Sequence, residues 1–254
     1  MEEKKQTNKV LQLVKDIVSP NLIVVIIIMM LSSGVGRGMY TTGLNLYAGR
    51  FLGLTPNQLS LAATLGFIAT VVFRPIGSKL ADQPNLKLMM VVTGIATGIT
   101  ACISGFAQGF IVYTIGRCLF LAVSAVYGNV GTTEGTFSSN RKYMGTNAAI
   151  LAFFPSLLSA IAVFYSRKIF NDTVDTKPGT VFFVVGAVFV ISVIPSILFN
   201  MKDPKVKARQ EEISARKARA AAEKKAGGIN GWLFAPVIPI ALSTFFIGFV
   251  MKVQ

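Results

Sequence analysis

The chain has no histidine, two cysteines and one tryptophan among its 254 residues, and 11 acidic residues against 25 basic ones. Without histidine, acid–base chemistry of the usual neutral-pH kind has no agent. Cys102 and Cys118 both fall inside apolar stretches, where a thiol reads as a small packing residue, so no disulfide framework or metal site can be assembled from them. No extramembrane cluster of acids has ligand spacing, and the hydrolase and transferase motifs are absent. Neither enzyme activity, metal nor cofactor is expected. Charge as a whole is scarce, at 14% of residues, against about 25% in a soluble domain. Residues 51–73, 88–116, 143–166, 178–201 and 232–251 carry no charge at all.

What the chain has instead is apolar bulk, 52% hydrophobic residues with a mean hydropathy of +0.60. The apolar residues lie in solid blocks, without the alternation that a membrane β-barrel strand requires. Each block reaches the ~20 residues that a helix needs to cross ~30 Å of hydrocarbon. Backbone polar groups cannot stay unpaired in lipid, so the blocks are helices. Gly105-Phe106-Ala107-Gln108-Gly109 divides the longest block in two. Another stretch is interrupted only by Arg37. The spacing predicts an all-α polytopic membrane protein with spans at about 20–47, 57–80, 88–106, 109–131, 144–167, 179–200 and 232–251. The first span is too long for a cleaved signal peptide and follows a polar leader.

The predicted organisation is a leader over 1–19, a six-span bundle over 20–200, a basic linker over 201–231 and a seventh span within 232–254. In the linker, Gln210-Glu211-Glu212-Ile213 through Lys225 is built of helix formers with few apolar residues, which predicts a solvated or membrane-surface helix ended by Gly227-Gly228. With this topology, seventeen of the 25 basic residues fall on the side of the N-terminus and five on the other, with three inside spans. Lysine and arginine mark the inner side. The N-terminus and linker are therefore expected to be cytoplasmic, in the plasma membrane. The net charge of +14 is then topology plus attraction to anionic inner-leaflet lipid. No basic patch with interleaved aromatics stands outside the spans, so nucleic acid is not an expected partner.

Between the second and third spans, Arg74-Pro75 closes one apolar stretch and Ser78-Lys79-Leu80-Ala81-Asp82-Gln83-Pro84-Asn85-Leu86-Lys87 leads into the next. This resembles the loop between helices two and three of the major facilitator superfamily, roughly Gly-x-Leu-Ala-Asp-Arg-x-Gly-Arg-Lys. Leu80, Ala81, Asp82 and Lys87 are kept; Ser78, Gln83, Asn85 and Leu86 depart from the pattern. Gly43-Leu44-Asn45-Leu46-Tyr47-Ala48 is similar to the family's first-helix Leu-Pro-Leu-Tyr-Ala run, with Asn45 in place of proline. Gly116-Arg117 resembles its second motif, although Phe120-Leu121 stands where Gln-Gly is usual, and Arg141 matches a common basic position. The stretch from Pro236 to Phe249 echoes Pro20 to Gly36, as parallel halves of this fold do.

The resemblance implies the N-terminal six-helix half of a secondary transporter for a small solute, followed by the linker and the start of an absent second half. The isolated chain is then expected not to transport; its partner would be the missing half or a second copy. It also implies that helices one and four line a central cavity. The candidates there are Arg37, Tyr40 and Asn45 on helix one and Tyr113, Arg117, Ser124 and Tyr127 on helix four. The gating candidates are Arg74, Asp82, Lys87, Glu134 and Arg141. Ionisable groups within a bilayer are costly and functional by default. No acid lies near the centre of any span, so the charge on offer is positive and favours an anionic solute. Two alternatives stand beside this reading. One is half of a drug–proton antiporter, a family in which these motifs are widespread; the other is a fragment or partner subunit without transport of its own.

Overall fold

Ser19-Pro20 and Thr55-Pro56 each stand at the head of an apolar run, and helices start at both. Ser19 accepts a hydrogen bond from the Leu22 amide at 3.2 Å. Thr55 and Gln58 cap each other reciprocally, Gln58 N donating to Thr55 Oγ1 and Thr55 N to Gln58 Oε1. Proline at the first helical position costs nothing there, since its missing N–H would have had no partner. The computed structural model describes residues 19–83, 85–138 and 141–225.

Six helical stretches are long and apolar enough to cross a membrane: α1 (Pro20–Phe51), α2 (Pro56–Ala81), α3 (Leu86–Ser104), α4 (Phe110–Phe137), α5 (Met144–Thr176) and a sixth over Thr180–Leu198 that begins with α6 (Thr180–Ser192). A short 3-10 turn, Ile194–Leu198, continues α6 to the end of its span. A seventh helix, α7 (Pro204–Lys225), occupies the basic linker. There is no strand among the described residues. This is the pattern of an all-helical, multi-pass membrane protein. The predicted leader up to residue 18 and the predicted span at 232–251 lie outside the described residues. So do residues 226–231 of the linker.

α1 is the central helix. It packs on α5 and α6 along its length and meets α4 near its start. α2 lies along α4; α3 lies between α4 and α6. Glycines set how closely these pairs approach. A Cβ at Gly38 would come within 2.7 Å of the Ser159 carbonyl on α5, and one at Gly98 within 2.8 Å of the Gly186 carbonyl on α6. Ser156 and Ala160, small residues four apart on α5, make no such approach: both are exposed. Pro155 does not break α5, which runs through it.

Aromatic side chains fill the centre. Tyr40 stacks on Phe120 with ring centroids 3.5 Å apart. Phe182 packs edge-on against both Tyr40 and Tyr47, and Phe189 against Phe120. Outside this core, large apolar residues such as Leu61, Val72, Ile111, Phe164 and Ile197 are exposed. That is the expected surface of a bundle whose solvent is lipid.

Hydrogen bonds tie the helix ends into two groups. At one end Ser19 Oγ donates to the Ser138 carbonyl, Asn21 Nδ2 to the Asn200 carbonyl, and Lys87 Nζ to the Ile197 carbonyl. At the other, the Tyr47 hydroxyl donates to the Ala107 carbonyl and Arg50 Nη1 to the Asn171 carbonyl. The helices therefore alternate in direction. The first end gathers the start of α1 and the connections α2–α3, α4–α5 and α6–α7. Val206 and Ile213, two turns apart on α7, are buried, so the linker helix is docked by an apolar stripe and not wholly solvated.

Candidate functional site

A cavity of about 510 Å³ opens among α1, α2, α4 and α5. Its lining comes from Ser33 and Arg37 on α1, Thr70 and Arg74 on α2, Ser124, Asn129 and Thr132 on α4, and Ser156 and Ser159 on α5, with Met29, Leu121 and Leu151 among the apolar contacts. No lining residue belongs to α3 or α6, and none is acidic. Among the described residues the two guanidiniums are the only charged groups in its wall.

Local backbone structure explains how α1 presents Arg37. Residues Met30–Gly36 form a π-helical segment that ends immediately before it. Such a segment inserts an extra residue per turn and re-aims the side chains that follow, a device common at functional sites. Gly36 and Gly38 flank the arginine, and both are buried: a Cβ on Gly36 would meet the Phe189 ring at 2.9 Å. The flanks are thus consumed by packing on α6 and α5 while Arg37 stays on the open side. On α2, the position of Arg74 is fixed through its backbone, whose carbonyl accepts a 2.9 Å hydrogen bond from Asn129 Nδ2 on α4.

The hydroxyls divide into two kinds. Thr70, Thr132 and Ser156 donate to carbonyls one turn back on their own helices, at 2.7–3.0 Å. This is the usual way a hydroxyl is satisfied in an apolar helix. Ser33, Ser124 and Ser159 make no such bond, which leaves their donors to the cavity.

The candidates from sequence separate cleanly by position. Arg37 and Ser124 line the cavity, and Arg74, assigned to a gating motif, lines it too. Asn45 is exposed two turns beyond Arg37, outside the cavity lining. Tyr40, Tyr113 and Tyr127 are core residues, each at most 2% exposed. Tyr40 shares a hydrogen bond with Ser104 Oγ at 2.9 Å. Tyr113 accepts from Arg117 Nη1 at 3.1 Å. Arg117 is half-buried at the α2–α4 seam beside Gly66, away from the cavity wall, and its Nε has no partner. Tyr113, Phe120 and Tyr127 on α4 thus face the packed interior of the bundle, and the cavity wall is the adjoining face bearing Ser124, Gly128, Asn129 and Thr132.

The remaining motif residues lie at the first end of the bundle. Asp82 is exposed at the end of α2 and does not cap α3; Asn85 does, accepting from the Leu88 amide at 3.1 Å. Lys87 binds a carbonyl at the end of the α6 span, where a cation meets the negative end of a helix. Glu134 is buried near the end of α4. Arg141 opens the short 3-10 turn before α5, and its side chain lies outside the described set. Among the described residues no group of histidine, cysteine, aspartate and glutamate could hold a metal.

Sequence reasoning missed Thr70, Asn129, Ser156 and Ser159. Their signal was available only as isolated hydroxyl and amide side chains within apolar spans. Such side chains, however, also occur where hydroxyls merely bond their own helix, as Thr70 and Ser156 do. No protein-family model matches the chain, and no curated protein matches it.

Proposed function

We propose that this chain is the solute-binding half of a secondary transporter of the major facilitator type, seated in the plasma membrane with its N-terminus and basic linker helix on the cytoplasmic side. One observation carries the reading: a polar cavity is built on α1, α2, α4 and α5 around Arg37 at mid-span. Charge at that depth is costly unless solvated or paired. A cavity that receives a hydrophilic solute supplies both the water and the counter-charge. The six-span pattern and the basic helix after the sixth span agree with the resemblance to the family's first half.

The cavity is walled by four helices and open on its remaining side. Arg37 and Ser156 are exposed in it, Thr41 and Asn45 continue the exposed polar face of α1 beyond it, and such a face has no reason to meet lipid. A second bundle closes it, and alternating access is the rocking of the two bundles about the shared site. The site on this chain is then half of a whole, and solute binding and solute accumulation come apart experimentally. The purified chain in liposomes is expected to accumulate no solute. Uptake that disappears with Arg37→Gln would instead mean that two copies of this chain complete the site. Uptake unaffected by Arg37→Gln, or a chain that binds no solute in any assembly, would defeat the transport reading and favour a partner subunit without transport of its own.

A further inference from the structure

We infer that the cavity takes one compact dianion, held by Arg37 and Arg74 together. The inference rests on reading the cavity as a solute site and adds the charge class of the solute and a second ligand. Arg74, which by sequence belongs to a gating motif, becomes a binding residue.

The first support is the charge balance. Arg37 on α1 and Arg74 on α2 line one cavity, and among the described residues no acidic side chain lines it. Among the described residues neither guanidinium makes an ion pair. Two like charges at a site of reduced dielectric repel, and the repulsion grows as water is excluded. A monoanion offsets one of them and leaves the other uncompensated. A dianion neutralises both, and each guanidinium can present its planar fork to a separate pair of oxygens.

The second support is the donor census. Beyond the guanidiniums, the cavity offers the hydroxyls of Ser33, Ser124 and Ser159 and the second amide hydrogen of Asn129, whose first is spent on the Arg74 carbonyl. Thr70, Thr132 and Ser156 have given their hydrogens to their own helices. The wall is therefore rich in unspent donors and has no charged acceptor. That combination suits carboxylate, phosphate or sulfate oxygens and is poorly matched to a cation, which two guanidiniums repel and no carboxylate offsets.

The third support is geometry. Asn129 joins α4 to the backbone of Arg74, and the π-helical segment of α1 sets Arg37, so both guanidiniums leave from fixed points on different helices. A volume of about 510 Å³ falls within the range of small-molecule sites, ~300–1,000 Å³. It accommodates a short dicarboxylate or a phosphate-bearing solute with some water.

The test is equilibrium binding to the purified full chain in lipid nanodiscs. The probes are inorganic phosphate, sulfate and succinate as dianions, acetate and chloride as monoanions, and a cationic dye. Dianions are expected to bind about tenfold or more tighter than monoanions, on the scale of one added charged hydrogen bond. Arg37→Gln and Arg74→Gln should each remove that preference. Arg50→Gln, which deletes the same charge at the far end of the bundle, should leave it intact. Should either glutamine variant fail to fold, Arg37→Lys and Arg74→Lys keep the charge, lose the fork, and should weaken dianions selectively. Phosphate and sulfate binding without succinate would assign the site to a single divalent group, and succinate alone to a dicarboxylate; either sustains the inference. Equal affinity for monoanions, dianion binding indifferent to Arg74→Gln, or no dianion binding at millimolar concentration would overturn it. Dye binding without dianion binding overturns the inference while leaving solute transport standing. Dianion binding with no uptake in any assembly does the reverse.

Discussion

Arg37 and Tyr40 are three residues apart on α1, yet one opens into the cavity and the other is 2% exposed in the core. The difference is the neighbour each finds. Tyr40 stacks on Phe120 and shares a hydrogen bond with Ser104, so its polar tip is satisfied inside the bundle. A tyrosine flanked by polar residues reads from sequence as cavity-lining, because an aromatic ring with a hydroxyl suits either place. The two roles predict opposite mutational signatures. Tyr40→Phe should lower stability by about 1 kcal/mol, the worth of one buried hydrogen bond, and leave solute affinity unchanged. Arg37→Gln should lower affinity with little loss of stability, since the guanidinium has no protein partner among the described residues. Thermal unfolding and binding measured on the same two variants separate the cases. Weakened binding by Tyr40→Phe would place the ring in the site after all.

At the scale of the element, the six spans were legible because each is a solid apolar block bounded by turn residues. The predicted break at Gly105–Gly109 is where α3 ends at Ser104 and α4 begins at Phe110. Less legible were the lengths. α1 runs on to Phe51 through a second π-helical segment, and α5 continues to Thr176, past Arg167 and Lys168, which hydropathy alone treats as a border. Least legible was which face of a helix is core. On α4 the aromatic stripe and the serine–asparagine stripe lie side by side, and only packing against α1 and α3 decides between them. The linker helix is an intermediate case. Its composition predicts the helix, but the burial of Val206 and Ile213 depends on the tertiary surface beneath. Asn21 is the clasp there: its side chain accepts from the Asn200 amide at 2.8 Å and donates towards the Asn200 carbonyl and Asp203 Oδ2. Asn21→Ala removes all three contacts from a buried position. Limited proteolysis within residues 204–225 should then accelerate several-fold while the spans stay protected. An unchanged cleavage rate would mean that the apolar stripe alone holds α7.

For the whole molecule, two independent features sort the ends of the bundle in the same way. Lysine and arginine counts place Lys79, Lys87, Lys142 and the linker on one side, with Arg50, Lys168 and Lys177 on the other. Hydrogen bonds then join Ser19 to Ser138, Asn21 to Asn200 and Lys87 to Ile197 at the first end. Arg50 reaches the Asn171 carbonyl at the second. The fold makes the basic connections neighbours; charge gives that end its direction, because basic flanks resist translocation. The orientation follows as a prediction about accessibility. Lys207, exposed on α7, should face the cytoplasm, and Lys177, exposed between α5 and α6, should face outward. The test starts from a chain with Cys102 and Cys118 replaced and a single cysteine placed by Lys207→Cys or Lys177→Cys. In intact cells an impermeant thiol reagent should label the second variant within minutes and the first only after the membrane is opened. Reversed labelling would put the basic linker outside. A helix carrying that much positive charge would then have crossed the membrane against the rule that oriented the other loops.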